Sequence, residues 1–328
     1  MSDFRTLKGL YIKHVSSDPS NLGAGDIWYN TTSQTLKVAT SIGAWASGGN
    51  LGTARYQLSG CGTQTAGLAY GGYSTPPAVF VFATEHYDGS AWADGEGMSS
   101  GRWQLSGQHV GTQTAALSIG GNSPAGNYGA LCEEYDGTDW AATDPLTTAR
   151  SYLAGFGIQT AAVAAGGSTS PATDATEEYN GTSWANGEDM VGTDRYGATG
   201  TGTLTAGLAV GGYHSYNLVE EYDGTDWTAV TAIPAAKHGV FGGMGTQTNC
   251  LLAGGSSGSP STKISVCNTY DGTNWAASPA LATARGMGAS GGTSTLAFAA
   301  GGNATGATGT NATEEFTGAA TARSVDTT

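Results

Sequence analysis

Charge is what this chain has least of. Asp, Glu, Lys and Arg make up 12% of the 328 residues, and 12 Lys and Arg face 26 Asp and Glu, a net charge of −14. Nucleic-acid binding needs clustered cations that displace phosphate counterions, so no nucleic-acid partner is expected. Long apolar runs are missing too. No stretch approaches the roughly 18 apolar residues of a membrane helix, and Met1–Lys13 carries no basic start leading into an apolar segment. The expectation is a soluble chain with no membrane insertion and no visible export signal. Four cysteines, Cys61, Cys132, Cys250 and Cys267, form no CxxC and share no ligand spacing with His14, His86, His109, His214 or His238. No metal site and no cofactor is therefore predicted. No GxSxG, P-loop or HExxH string occurs either, and the chain is expected not to be an enzyme.

Glycine is what the chain has most of, with 54 residues, and its placement is periodic. Gly-Gly pairs fall at Gly71/Gly72, Gly120/Gly121, Gly166/Gly167, Gly211/Gly212, Gly254/Gly255 and Gly301/Gly302, at intervals of 49, 46, 45, 43 and 47 residues. Six pairs in this phase mean six repeats. Each repeat reads as four short strands: A following an arginine (Tyr56–Gly60 in the first), B running into Gly-Gly (Gly67–Gly71), C running into Tyr-Asp-Gly (Thr84–Tyr87), and D around a tryptophan. The tryptophans are Trp45, Trp92, Trp140, Trp184, Trp227 and Trp275, so one precedes the first Gly-Gly and none follows the last. That circular offset predicts a ring in which the segment around Trp45 supplies the last strand of the sixth repeat. The fold class expected is all-β, a six-bladed β-propeller closed by an N-terminal strand.

These residues resemble the kelch repeat, from Trp45 to about Gly318. The resemblance implies a disc closed by a swapped strand and implies no single activity. Residues 1–40 stand outside the repeat and read as a small β arm, with strand-like segments at Leu10–Val15, Asp26–Tyr29 and Leu36–Ala39; residues 41–328 are assigned to the propeller. The string Gly25-Asp26-Ile27-Trp28-Tyr29-Asn30-Thr31-Thr32, followed by Thr35-Leu36-Lys37-Val38, resembles a short module near the N-termini of tailed-bacteriophage fibre and other virion proteins. The resemblance implies a virion structural protein, made in the host cytoplasm, whose arm engages other virion proteins. An ordinary N-terminal hairpin packed on the disc is the alternative.

The repeats also serve as an internal comparison. Arg55, Arg102, Arg150, Arg195 and Arg285 open strand A in five of them, and the same five carry Glu85, Glu133, Glu177, Glu220 and Glu314 on strand C. The fifth repeat has Lys237 and Asn268 instead. Joint loss predicts five structural salt bridges that cross strand B where Gly-Gly leaves room; a ring of free cations gathering an anion is the alternative. Asp-Gly after strand C is a hairpin signal. Cys250 and Cys267 lie about equally far from the tip of one hairpin, which leaves a disulfide open beside their reading as small buried hydrophobes.

Strand alternation places the A–B and C–D turns on one face, where they are nearly uniform, and the B–C and D–A connections on the other, where they vary. Variation on one face is what a binding scaffold shows. Its aromatic members, Tyr73, Phe80, Tyr128, Tyr213, His214 and Tyr216, are the candidate ligand-binding residues, suited to stacking on a sugar or packing on a protein. The sequence therefore predicts a tail-fibre or tail-associated protein that binds a host-surface glycan or protein. A head or tail decoration protein making only protein contacts is the alternative, a carbohydrate-active enzyme is less favoured, and self-association stays open.

Overall fold

The computed structural model describes residues 6–7, 10–17, 27–105, 109–124, 129–192, 194–257, 262–304 and 308–324. Strands and turns account for all regular structure among them. The chain divides into two compact units, Trp45–Phe316 and a smaller one formed by Met1–Ala44 with Thr317–Thr328. The strand Thr35–Ser47 runs across the first boundary between them without a break.

In the small unit Lys13–Val15 pairs in parallel with Ile27–Asn30, which pairs antiparallel with the start of Thr35–Ser47, Ile27 opposite Val38. The turn between the last two is set by Asn30, whose Oδ1 accepts the N–H groups of Thr32 and Ser33 at 3.0 Å each. That is the usual reason an asparagine starts a turn. Trp28 is buried.

The large unit is a succession of antiparallel four-stranded sheets joined in sequence order. The first repeat supplies Ser59–Thr63 as strand A, Ala66–Tyr70 as B, Thr84–Tyr87 as C and Trp92–Gly95 as D. Strand B carries only Ala, Gly, Leu and Tyr and is buried at four of five positions. With Gly60 and Gly67 a β-carbon would lie within 2.6–2.7 Å of the neighbouring repeat's Ala289 and Phe298. Glycine and alanine are thus where one sheet presses on the next. The C–D turns are held by the aspartate of Tyr-Asp-Gly: Asp136 Oδ1 accepts Thr138 N and Asp139 N at 2.8 Å each, and Asp88, Asp223 and Asp271 do the same in their repeats. These bonds to the charged form hold the four carboxyls below their ordinary range.

The sixth sheet takes Ala289–Gly292 as A, Leu296–Ala300 as B and residues 313–316 as C, with the strand carrying Trp45 next to C. Gly48 N donates to Thr313 O at 2.9 Å and Leu51 N to Asn311 O at 2.9 Å. Trp45 packs on Phe316 with ring centroids 5.2 Å apart. Every other repeat makes the equivalent contact between its C-strand tyrosine and D-strand tryptophan, from Tyr87–Trp92 to Tyr270–Trp275, at 4.7–5.0 Å.

Two sets of backbone hydrogen bonds run from repeat to repeat and return to their start. In one, the second glycine of each Gly-Gly donates to the carbonyl of the next repeat's arginine: Gly72 to Arg102, Gly121 to Arg150, Gly167 to Arg195, Gly212 to Lys237, Gly255 to Arg285, and Gly302 back to Arg55. Both glycines of the first pair have positive φ, 66° at Gly71 and 103° at Gly72, a succession that side chains disfavour. The other set lies nearer the middle. Gln104 N donates to Gln57 O, Tyr152 N to Gln104 O, Gly197 N to Tyr152 O, Gly239 N to Gly197 O, Met287 N to Gly239 O, and Gln57 N to Met287 O, at 2.5–3.1 Å. All six residues have φ between 54° and 69°.

Candidate binding face

Each strand-A arginine is buried and pairs with its own repeat's glutamate. Arg55–Glu85 is 2.9 Å, Arg150–Glu177 2.8 Å, Arg195–Glu220 2.5 Å and Arg285–Glu314 3.1 Å, and Arg102 contacts Glu133. The other guanidinium nitrogen donates to two carbonyls, the first glycine of Gly-Gly and the residue entering strand C, as Arg150 does to Gly166 at 3.2 Å and Ala175 at 2.6 Å. The second carboxylate oxygen accepts a backbone N–H three residues before the arginine: Gly52 for Glu85, Thr147 for Glu177, Gly192 for Glu220 and Ala282 for Glu314, at 2.7–2.8 Å. In the fifth repeat that position is Pro234, which has no N–H, so three partners are absent together. Lys237 there donates to Val266 O at 2.8 Å, and burial pushes its ammonium down to about 8. These cations are engaged inside their sheets and form no anion site.

Cys250 and Cys267, like Cys61 and Cys132, are free thiols, all buried. Cys250 sits opposite Tyr270 and Cys267 opposite Ser278, so the two do not face each other and the disulfide left open in the sequence does not form.

The candidate ligand residues fall into two groups. Tyr73 and Phe80 pack together at 5.4 Å and gather Tyr56 and Trp103, at 5.8 and 5.0 Å from Tyr73. Tyr213 stacks on Tyr196 at 4.6 Å with 11° between planes, and touches Tyr216 at 5.8 Å and His238 at 4.0 Å; His214 meets Tyr196 edge-on. Tyr128 lies outside the described residues. The rings that the sequence reading missed, Tyr56, Trp103, Tyr196 and His238, share one position, directly after the arginine or its lysine substitute. Each bridges the residue after a Gly-Gly: Tyr56 to Tyr73, Trp103 to Asn122, Tyr196 to Tyr213, His238 to Ser256. The third and sixth repeats have only Ser151–Ser168 and Gly286–Asn303 there. The aromatic members thus form two clusters, one from the first and second repeats and one from the fourth and fifth.

The second cluster reaches, through Tyr213, a cavity of about 50 Å³ whose lining also includes Gln57, Gln104, Tyr152, Leu153 and Met287. None of its lining residues carries a carboxylate, an imidazole, an ammonium or a guanidinium. Tyr152 Oη accepts an N–H from Gln104 Nε2 at 2.6 Å and another from Gln57 Nε2. Gln104 Oε1 in turn accepts from Asn122 Nδ2 at 2.7 Å. Gln57 Oε1 is buried without a partner. Burial raises the Tyr152 phenol above its ordinary range, so it stays protonated and can donate. His238 is buried with both ring nitrogens unpartnered, and burial, reinforced by Lys263, lowers it to about 4, leaving a neutral imidazole.

No protein-family model matches the chain, and no curated protein does. Among solved structures the chain is similar to YjhT, with a TM-score of 0.66 and 12% identity over 83% of this chain and 99% of that one. With the sheets above, this makes the fold β-propeller-like. At that identity the likeness speaks for the fold alone.

Proposed function

We propose that the chain is a six-bladed, kelch-type propeller closed by the strand around Trp45, and that it serves as a non-catalytic display protein of a tailed-bacteriophage particle, presenting its aromatic face to a neutral glycan on the host surface. The observation that carries the binding role is an uncharged cavity with Tyr213 of an aromatic cluster in its lining. Flat rings beside neutral hydrogen-bonding groups are how protein surfaces hold sugar rings. The return of both hydrogen-bond cycles to their first repeat supports the closed ring. The virion setting rests on the N-terminal module, where the Asn30 turn and buried Trp28 belong to the motif itself, and the arm is assigned to contacts with other virion proteins.

A second reading has its own support. Phe82 and Val79, on the B–C connection of the first repeat, are 59% and 44% exposed, which suits a decoration protein with only protein contacts. A glycan array probed with the intact protein and with Tyr213→Ala and Tyr216→Ala separates the two. Glycan binding weakened by either substitution supports the first reading; no glycan binding supports the second. Labelling of purified phage particles with an antibody to the disc tests the setting, and its absence from every particle preparation would end the virion assignment.

A further inference from the structure

The middle of the aromatic face carries an unfinished set of hydrogen bonds. Tyr152 accepts from both Gln57 and Gln104, and its own proton is free to donate. Gln57 Oε1 is buried with nothing to accept from. Turning the Gln57 amide over does not cure this: its oxygen would then take the Tyr152 proton and its nitrogen would be left without an acceptor. Either way one buried polar atom beside the phenol lacks a partner, and such an atom weakens the fold unless something fills its place.

The backbone holds these side chains there. Gln57, Gln104, Tyr152 and Met287 belong to the central hydrogen-bond cycle and adopt φ of 55°, 55°, 55° and 59°, a region that residues other than glycine rarely occupy. The fourth and fifth repeats place Gly197 and Gly239 at the same positions, with φ of 69° and 54°. Three polar side chains and Met287 in strained backbone at four positions, with bare glycines at the other two, give the cavity its room, and such strain collects at ligand sites.

We infer that this cavity receives one hydroxyl-bearing arm, the hydroxymethyl group of a neutral hexose, with the sugar ring lying against Tyr213. The inference rests on the glycan reading above. A hydroxyl both donates and accepts through one oxygen, so it completes the Tyr152–Gln57 pair however the amide is turned. The N–H and C=O of a secondary amide point in opposite directions and cannot meet two adjacent groups together. A carboxylate or an ammonium would be stripped of water in a cavity with no opposite charge. The cavity, about 50 Å³, has space for a group of that size while Leu153 and Met287 cover its methylene.

Ligand-observed NMR titration of the intact chain tests this with methyl glucopyranoside and methyl galactopyranoside as hexosides, methyl xylopyranoside as the analogue without the arm, and N-acetylneuraminic acid as the charged sugar. At least one hexoside is expected to bind, roughly tenfold tighter than the xyloside. Tyr152→Phe and Gln57→Met should each remove that preference, while Tyr213→Ala should weaken hexoside and xyloside alike. Melting curves establish which variants are folded, and either cavity variant suffices for the comparison. Equal hexoside and xyloside affinities, or a preference that survives in a folded cavity variant, would overturn the cavity assignment and leave the glycan reading standing; tightest binding of the charged sugar would overturn the cavity assignment and the neutral character of the glycan together. No binding by any sugar would overturn both.

Discussion

Five arginines in this protein sit where water does not reach, and each is balanced by more than its glutamate. Arg150 holds Glu177, Gly166 O and Ala175 O together, while Glu177 also accepts from Thr147. Such a cluster fixes geometry more than it adds net stability, because each ion gave up its water. Removing one ion strands the other. Arg150→Ala is expected to cost about 3–5 kcal/mol in urea unfolding, and Glu177→Gln somewhat less, since Gln can still accept from Thr147. The double substitution should cost clearly less than the two summed; strict additivity would show that the pair is not an energetic unit. In the fifth repeat the whole cluster is exchanged at once, Lys237, Asn268 and Pro234 standing in place of arginine, glutamate and donor, and the sheet forms with the Lys237 ammonium held by Val266 O.

Histidine adds a pH dependence at the same scale. His238 is held near 4 in the fold and His109 likewise, both chiefly by burial, while an unfolded chain titrates each near 6.5. Between those values the unfolded state binds the extra protons, so stability is full above about 6.5 and declines as pH falls toward 4. His238→Phe keeps a ring against Tyr213 and removes the titration. Its urea midpoint should fall less steeply than the parent's between pH 6.5 and 4.5, and parallel curves would rule out the buried neutral imidazole.

Elements meet through side chains that look like turn residues in the sequence. The Gln of Gly-Thr-Gln-Thr does not stay in its turn. Gln113 Nε2 donates to Gly67 O at 2.9 Å and Tyr87 O at 2.8 Å in the preceding repeat, and Gln64 and Gln247 reach back in the same way. Gln159 takes Ala116 O and Tyr135 O at 3.2 and 2.8 Å. The C-strand tyrosines do likewise: Tyr179 donates to Glu134 at 2.7 Å and Tyr270 to Glu221 at 3.1 Å, while Tyr135 meets His86 Nε2 at 2.7 Å. Where Phe316 replaces the tyrosine, Thr269 replaces the preceding repeat's acid, a second joint loss. Gln159→Ala removes two bonds to one neighbour and should lower stability by about 1–2 kcal/mol, whereas Gln34→Ala, in an exposed turn outside the repeats, should be close to neutral. Equal effects would mean that the glutamines do not join sheets.

Those links explain which features were legible in the sequence. The strands, the repeat period and the arginine–glutamate pairing could be read because each repeats its chemistry within one copy, where alternation and joint loss are visible. The glutamine and tyrosine bridges join different copies, and sequence comparison inside one repeat does not point to them. The cavity was harder still. Its key positions, Gln57, Gln104, Tyr152, Gly197, Gly239 and Met287, share a backbone conformation and not a residue type, so six aligned copies show only variation. That variation, two residues past a constant cation, was the available signal.

At the scale of the molecule the question is whether six sheets behave as one body. Trp45 precedes the first Gly-Gly, yet it packs on Phe316, and its Nε1 donates to Pro279 O at 3.0 Å in the fifth repeat. Trp140 makes the same kinds of contact, with Tyr135 at 4.9 Å and with Thr84 of the preceding repeat at 2.8 Å. Both tryptophans are half-buried. If the chain closes on itself, the two are equivalent members of one ring, and opening it at either place exposes two sheet faces together. Trp45→Ala should therefore cost about as much as Trp140→Ala, on the order of 2–4 kcal/mol for a large aromatic packed on one side, and both variants should unfold in a single transition. A tryptophan belonging to a separate arm would behave otherwise: its loss would leave the main transition in place and at most add a small early one. Parallel thermal unfolding of the two variants, followed by near-ultraviolet circular dichroism, decides between a ring sealed through Trp45 and a row of repeats with a free end there.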